Sequence, residues 1–235
     1  MRRATLTAVG LAALMAGAGA CSSSGHASTP INANPNTLLS KAKAKLDSTQ
    51  SVHFTLDGEN VSNRGTNLSG GSGDIARPDL LQGSFTVLVN GFEANVGVAS
   101  KGGVFEAKLP FSKHYAVTKP SSFGLSDPST LLDPNHGLSS LLSNASGPKV
   151  TRQERLSGEL LDEVSFTVPG STVPVLPDLK PSRPVGLVAA IDPSTYEVRQ
   201  MVMTGPFTSA SSNTTYTVTL TKYGEPVTVN LPPTS

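Results

Sequence analysis

The sequence predicts an α+β domain in which a single antiparallel sheet carries helices on its apolar face. Three observations predict it. Apolar and polar residues alternate with period two along most of the chain, turn dipeptides such as Asn90-Gly91 and Gly102-Gly103 punctuate the alternation, and two stretches switch to helical spacing. Composition agrees: 37% hydrophobic residues with only 15% charged supports a folded core, while 5% aromatics, no Trp and abundant Gly, Ser, Thr and Val suit strands and turns.

The first element reads as a signal peptide. Arg2 and Arg3 form a positive n-region, an apolar run extends from Ala4 to Ala16, and the small residues Ala18, Gly19 and Ala20 lead to Cys21, the sole cysteine of the chain. One cysteine cannot make an internal disulfide, and its place after a cleavage-type triplet makes Cys21 the expected lipidation site. The bland alternative is a secretory signal followed by a chance cysteine. Residues 1–20 are then a lipoprotein signal peptide, 21–36 an acylated Cys and flexible Ser/Gly/Pro/Asn-rich linker, and 37–235 a single domain. Extended at about 3.3 Å per residue, the linker lets the domain stand up to about 50 Å from a bilayer. No later apolar run reaches the ~18 residues that span a membrane. With 18 Lys and Arg against 17 Asp and Glu there is no basic surplus, so nucleic acid is not expected as a partner.

A helix follows, with Asn36 as expected N-cap, Leu38, Leu39, Ala42 and Leu46 on one stripe, and Asp47-Ser48 at its end. Val52, Phe54 and Leu56 open the first strand. Gly83 to Leu109 is the most instructive stretch. A two-residue turn at Asn90-Gly91 sets Val89 opposite Phe92, Val87 opposite Ala94 and Phe85 opposite Val96. A turn at Gly102-Gly103 sets Val98 opposite Ala107, Ser100 opposite Phe105 and Val96 opposite Leu109. Both turns place apolar residues on one face, leaving Ser84, Thr86, Glu93, Asn95, Glu106 and Lys108 on a wet face. Leu131 to Ser143 reads as a second helix, striped by Leu131, Leu132, Leu138, Leu141 and Leu142, with Asp133-Pro134 opening its main part. Further strands are expected at Val164 to Val168, at Leu187 to Ile191 and at Val198 to Met203. A last hairpin is expected to join Tyr216, Val218 and Leu220 through Tyr223-Gly224 to Val227, Val229 and Leu231. The proline-rich stretch from Ser171 to Pro184 reads as a loop.

A search for chemistry finds no catalytic constellation. His26, His53, His114 and His136 are scattered, and no HExxH, GxSxG, Walker, GxGxxG or CxxC pattern occurs. Asp133, Asn135 and His136 could ligate a metal, but as a turn before a helix they need none. Gly70-Gly71-Ser72-Gly73 lacks the Lys and helix of a phosphate cradle and is expected to be a flexible strand connection. No cofactor, metal or enzyme activity is expected.

Several motifs taken in order resemble the actinobacterial LppX/LprA/LprF/LprG lipoprotein family. They are Ser51-Val52-His53 opening the first strand, Leu132-Asp133-Pro134-Asn135-His136-Gly137-Leu138, Arg183-Pro184 before a strand, and Lys222-Tyr223-Gly224-Glu225-Pro226-Val227. Relatives often carry Trp where Tyr223 and Val188 stand, changes that bear on packing or cavity shape. The resemblance implies a strongly curved half-barrel sheet with helices on its concave apolar side, like the periplasmic carriers of lipoproteins. It also implies an apolar cavity that binds acylated lipids or glycolipids, such as triacylated glycolipids, lipoarabinomannan or triacylglycerol, for transfer across the envelope. The implied partners are that cargo, the plasma membrane through lipidated Cys21, whose outer face the domain would occupy, and a membrane transporter handing over the cargo. The residues expected to line the cavity are Phe54, Leu56, Phe85, Val87, Val89, Phe92, Ala94, Val96, Val98, Phe105 and Leu141, each of which could equally be core packing. The alternative is an envelope interaction or sensor module with a solid core.

Overall fold

In the computed structural model, residues 33–123, 127–173 and 183–229 are described. Two helices, α1 (Pro35–Ser48) and α2 (Leu138–Ser143), accompany eleven strands: β1 (Ser51–Glu59), β2 (Thr66–Ala76), β3 (Leu80–Val89), β4 (Phe92–Lys101), β5 (Val104–Lys108), β6 (Ala116–Val117), β7 (Ser146–Leu156), β8 (Glu159–Val168), β9 (Val185–Ile191), β10 (Val198–Gly205) and β11 (Thr214–Thr221). They form one antiparallel sheet in the order β6-β5-β4-β3-β2-β1-β11-β10-β9-β8-β7, open between β6 and β7. Flat, eleven strands at about 4.8 Å spacing would be about 48 Å wide, whereas α1, with 14 residues at 1.5 Å each, is about 21 Å long. Yet one continuous buried cluster joins Leu39, Leu46 and Leu141 of the helices to Phe105 on β5 and Phe166 on β8. The sheet therefore wraps around the helices, and its concave side is the apolar one.

The hairpin reading of β3–β4 holds in register: Val89 pairs with Phe92, Val87 with Ala94 and Phe85 with Val96. Asn90 and Gly91 both take the positive φ that this turn requires. The β4–β5 turn likewise pairs Val98 with Ala107 and Ser100 with Phe105, but β5 stops at Lys108, so the expected Val96–Leu109 pair does not form.

Five other expectations are corrected. The N-cap of α1 is Asn34, whose Oδ1 accepts from the Thr37 N–H at 3.1 Å; this leaves Pro35 in the first turn, where its missing N–H costs nothing. Gly70–Gly73 is not a connection but the middle of β2, with Gly71 opposite Phe85 and Gly73 opposite both Phe54 and Gly83. Leu131–Ser143 is not one helix. A 3-10 turn (Pro128–Leu132) ends at Asp133, because a residue before proline disfavours helical backbone; a loop then leads to Gly137, the N-cap of six-residue α2.

The expected last hairpin is absent as well. Both edges of β11 are already taken by β1 and β10, so Lys222 to Val229 has no strand to pair with. The chain instead crosses the sheet's outer face, where the Gly224 N–H donates to Ser51 O, Ser51 Oγ donates to Glu225 O, and Lys101 Nζ donates to Val229 O at 3.3 Å. Leu231 lies outside the described residues. Finally, the outer face is not uniformly wet. Ala99 and Glu106, a cross-strand pair on it, are buried, and Glu106 Oε2 has no hydrogen-bond partner among the described residues.

Gly73 and Gly83 face each other so closely that a Cβ on Gly83 would lie 2.8 Å from the Gly73 Cα. Gly83→Val is expected to lower stability by about 2–3 kcal/mol in urea denaturation. Gly102→Asn, at a turn position of positive φ with open space around it, should change stability by less than about 0.5 kcal/mol.

Candidate functional site

The concave face begins at a base closed by helices. Arg77, just beyond β2, donates from Nε to Thr49 O and from Nη2 to Leu46 O, fixing the C-terminal end of α1. Farther back along the helix, Lys45 pairs with Glu197 at 3.2 Å and Lys41 Nζ donates to the Tyr196 hydroxyl, both in the β9–β10 turn. Ser139 Oγ donates to Asp47 and so ties α2 to α1. These contacts lay α1 across one end of the strands, the end that holds Val52, Ile75, Leu81 and Ile191.

From that base, three inward-facing rows run to the opposite end, and their burial fades in the same direction. On β3, Leu81, Phe85 and Val87 are buried but Val89 is 40% exposed. On β4, Val98 and Val96 are buried, Ala94 is half-buried and Phe92 is 80% exposed. On β5, Phe105 and Ala107 are buried, and Leu109 beyond the strand end is 51% exposed. Phe54 and Leu56 on β1 repeat the trend, buried and then half-buried. On the β9–β11 side the inward residues stay buried to the end, where Phe207 and Tyr216 pack with ring centroids 5.5 Å apart. The result is an apolar concave face, covered at its base and uncovered at the corner formed by β3, β4 and β5.

The expected cavity residues are thus distributed unevenly. Phe54, Phe85, Val87, Val96, Val98, Phe105 and Leu141 lie in the buried cluster, Leu56 and Ala94 pack at its margin, and Val89 and Phe92 stand in the open at the hairpin tip. Phe54 and Phe85 stack with centroids 5.9 Å apart, bridging the glycines of β2. Cys21 lies outside the described residues. Missing from the expectation are Phe166, Leu187, Met201, Met203, Phe207 and Tyr216, which complete the concave face from β8 to β11. Their alternation is legible in the sequence, but nothing local connects it to the β3–β5 meander.

The polar groups of this interior are accounted for. The Tyr216 hydroxyl donates to Leu68 O at 2.6 Å, and burial pushes its phenol well above the ordinary tyrosine range. Tyr223 donates to Val198 O at 2.6 Å and is pushed up in the same way, with the Arg199 guanidinium 5.8 Å from its ring centre. Asp133 is occupied by its own loop. Its Oδ1 accepts the N–H groups of Asn135 and His136, each at 2.8 Å, which hold the carboxyl below the usual carboxylate range. Among the described residues, no three His, Cys, Asp or Glu side chains gather as a metal site. Val188 borders a shallow recess of about 430 Å³ on the outer face of β7–β10, lined also by Lys149, Ser165, Thr167, Gly186 and Thr204. A substitution at Val188 therefore bears on that recess and not on the concave side.

The chain matches the LppX_LprAFG lipoprotein family over residues 34–229. It is 26% identical over 242 residues to the lipoarabinomannan carrier protein LprG of Mycobacterium tuberculosis, covering 100% of this chain and 96% of that protein. Its fold is similar to that of LprF from Mycobacterium bovis, with a TM-score of 0.68 at 17% identity over 83% of this chain and 95% of that one. It is also similar to the Mycobacterium tuberculosis lipoprotein LppX, with a TM-score of 0.53 at 16% identity over 84% and 100% of the two chains.

Tyr216→Phe leaves the Leu68 carbonyl without its buried donor and is expected to cost about 1–2 kcal/mol in chemical denaturation. Thr217→Ala, the next residue on the opposite face, should cost clearly less.

Proposed function

The chain belongs to the LppX_LprAFG lipoprotein family, and from that membership we propose that it is a membrane-tethered carrier that binds an acylated lipid or glycolipid in its concave trough and moves it through the cell envelope. The observation that carries this reading is the fading burial along β3, β4 and β5. Three apolar rows continue from a closed core into solvent without a polar residue to end them, which is the geometry an acyl chain needs in order to enter from one end. A related protein of similar length is named a lipoarabinomannan carrier, which supports a glycolipid as the cargo class.

The physics favours a carrier. Moving an acyl chain of about 16 carbons from bilayer to water costs about 12 kcal/mol, at roughly 0.8 kcal/mol per methylene. Multi-chain lipids consequently do not diffuse through an aqueous layer unaided. A trough lined by Phe85, Val87, Ala94, Val96 and Phe105 replaces the bilayer's apolar contacts, and no bond has to be made or broken. Cys21 supplies the tether: once acylated it keeps the domain on the outer face of the plasma membrane, within reach of donor lipid.

Native mass spectrometry of the protein released from its membrane is expected to show one acylated lipid bound per chain. Ala94→Arg, half-buried at the mouth where a long cation can still reach solvent, should abolish that adduct while leaving the circular dichroism spectrum unchanged. A folded wild-type protein that carries no lipid and takes none up from vesicles would overturn the reading in favour of an interaction module. Cys21→Ser is expected to move the protein from the membrane fraction to the soluble fraction.

A further inference from the structure

Six of the seven large apolar side chains exposed among the described residues fall in one stretch of the chain, from Val89 to Val117. Val89, Phe92 and Leu109 end the inward rows at the trough's open corner. Phe111 goes further. It is fully exposed, and its backbone takes φ 68°, a left-handed conformation that is costly for a bulky residue. The loop around it is braced from within, by the Ser112 N–H on Leu109 O and by Ser112 Oγ on His114 O, so the ring is held outward without any packing of its own. Val117, on the edge strand β6 and opposite Glu106 on the outer face, is 65% exposed.

The exposed charges from Ala94 to Val117 are predominantly basic. Between Ala94 and Phe123 the only acidic residue is Glu106, which is buried, while Lys108, Lys113 and Lys119 reach the surface; Lys101, at the other end of β4, donates to Val229 O. Arg64 is exposed in the loop that hydrogen-bonds to the hairpin tip through Gly65 and Asn90. Glu93, next to Phe92, is exposed on the outer face opposite Leu88, the face that also carries Lys108, so the basic side chains outnumber it. Exposed aromatic and aliphatic side chains interleaved with lysines match the boundary between anionic headgroups and acyl chains, where the rings enter the apolar layer and the ammonium groups stay at the phosphates.

We propose that the β5–β6 edge, with Phe111 at its tip and Phe92 on the neighbouring β3–β4 hairpin, docks the domain onto an anionic phospholipid bilayer and presents the open corner of the trough to the lipid. This inference deepens the carrier reading and rests on it for its purpose, because a cargo lipid can then pass from bilayer to trough without crossing water.

The protein contains no Trp, so Phe111→Trp provides a single fluorescent reporter. The full chain is reconstituted in vesicles carrying brominated phosphatidylcholine, either with phosphatidylglycerol or in phosphatidylcholine alone. The expected result is blue-shifted emission quenched by the brominated chains in the phosphatidylglycerol vesicles, and little of either in the neutral ones. Leu160→Trp, the exposed apolar position near the start of β8, should remain solvent-like in both. Adding Lys108→Glu and Lys113→Glu to the Phe111→Trp protein should weaken the quenching by about tenfold or more.

Unquenched emission in phosphatidylglycerol vesicles would overturn the proposal. Equal quenching in both vesicle types would also overturn it, since contact with a bound cargo lipid does not need anionic headgroups. A blue shift that grows with protein concentration in the absence of vesicles would assign the edge to a second copy of the chain and overturn it too. Lipid bound to the same Phe111→Trp protein, read by native mass spectrometry, reports separately on the carrier reading, so the two can fail independently.

Discussion

Phe54 on β1 and Phe85 on β3 stack although β2 lies between them, and that contact depends on glycine. Gly71 stands opposite Phe85 and Gly73 opposite Phe54, so no side chain of β2 rises between the two rings. A Cβ on Gly71 would come within 2.5 Å of the Phe85 ring. Absence of bulk on the inner face is also what allows a sheet to bend toward that face, since the side chains there are crowded together as it curves. The glycines of β2 therefore set both the aromatic centre of the concave face and the curvature that brings β5 and β8 into one core.

Curvature in turn determines what the helices can do. α1 is too short to cover eleven strands, and its polar contacts with Arg77, Tyr196 and Glu197 fix it across the base. The inner rows are thereby sealed at one end. Toward the β9–β11 side Phe207 and Tyr216 fill the far end, with the tyrosine hydroxyl satisfied by Leu68 O. Toward the β3–β5 side the last side chains of the rows, Val89, Phe92 and Leu109, stand exposed and fill nothing. One asymmetric opening follows from where the large side chains are, without any irregularity in the hydrogen-bonded ladder between β3 and β4.

The opening and the cationic edge lie side by side because β5 and the loop after it carry both. Lys108 pairs across to Gly97, a position where Tyr115 closes over the outer face, and the chain then turns out through Phe111 before returning as β6. The β6 edge is only two residues long, so it offers little ladder to a foreign strand. Its exposed side chains, rather than its backbone, are what it presents.

Local patterns determined the local structure. Asn90-Gly91 dictated a register that holds across the whole β3–β4 hairpin, because a two-residue turn leaves no freedom in pairing once the strands begin. The apolar stripe of α1 was equally legible, its residues being neighbours on one face of a helix. Even the inward residues of β8, β9 and β11 could be recognised as alternating, though not as part of the same face. What tertiary structure alone decided were the pairings between segments far apart in sequence. The β1–β11 ladder joins the two halves of the sheet, occupies the edge that a last hairpin would have needed, and sends the tail across the outer face to Ser51 and Lys101. Locally Gly70–Gly73 has the pattern of a connection, because glycine weakens a strand; it is the centre of one because Phe54 and Phe85 need the space above it. Exposure of Val89 and Phe92 was undetermined for the same reason: alternation assigns a side chain to a face, while only the placement of the helices decides how far along that face the cover extends.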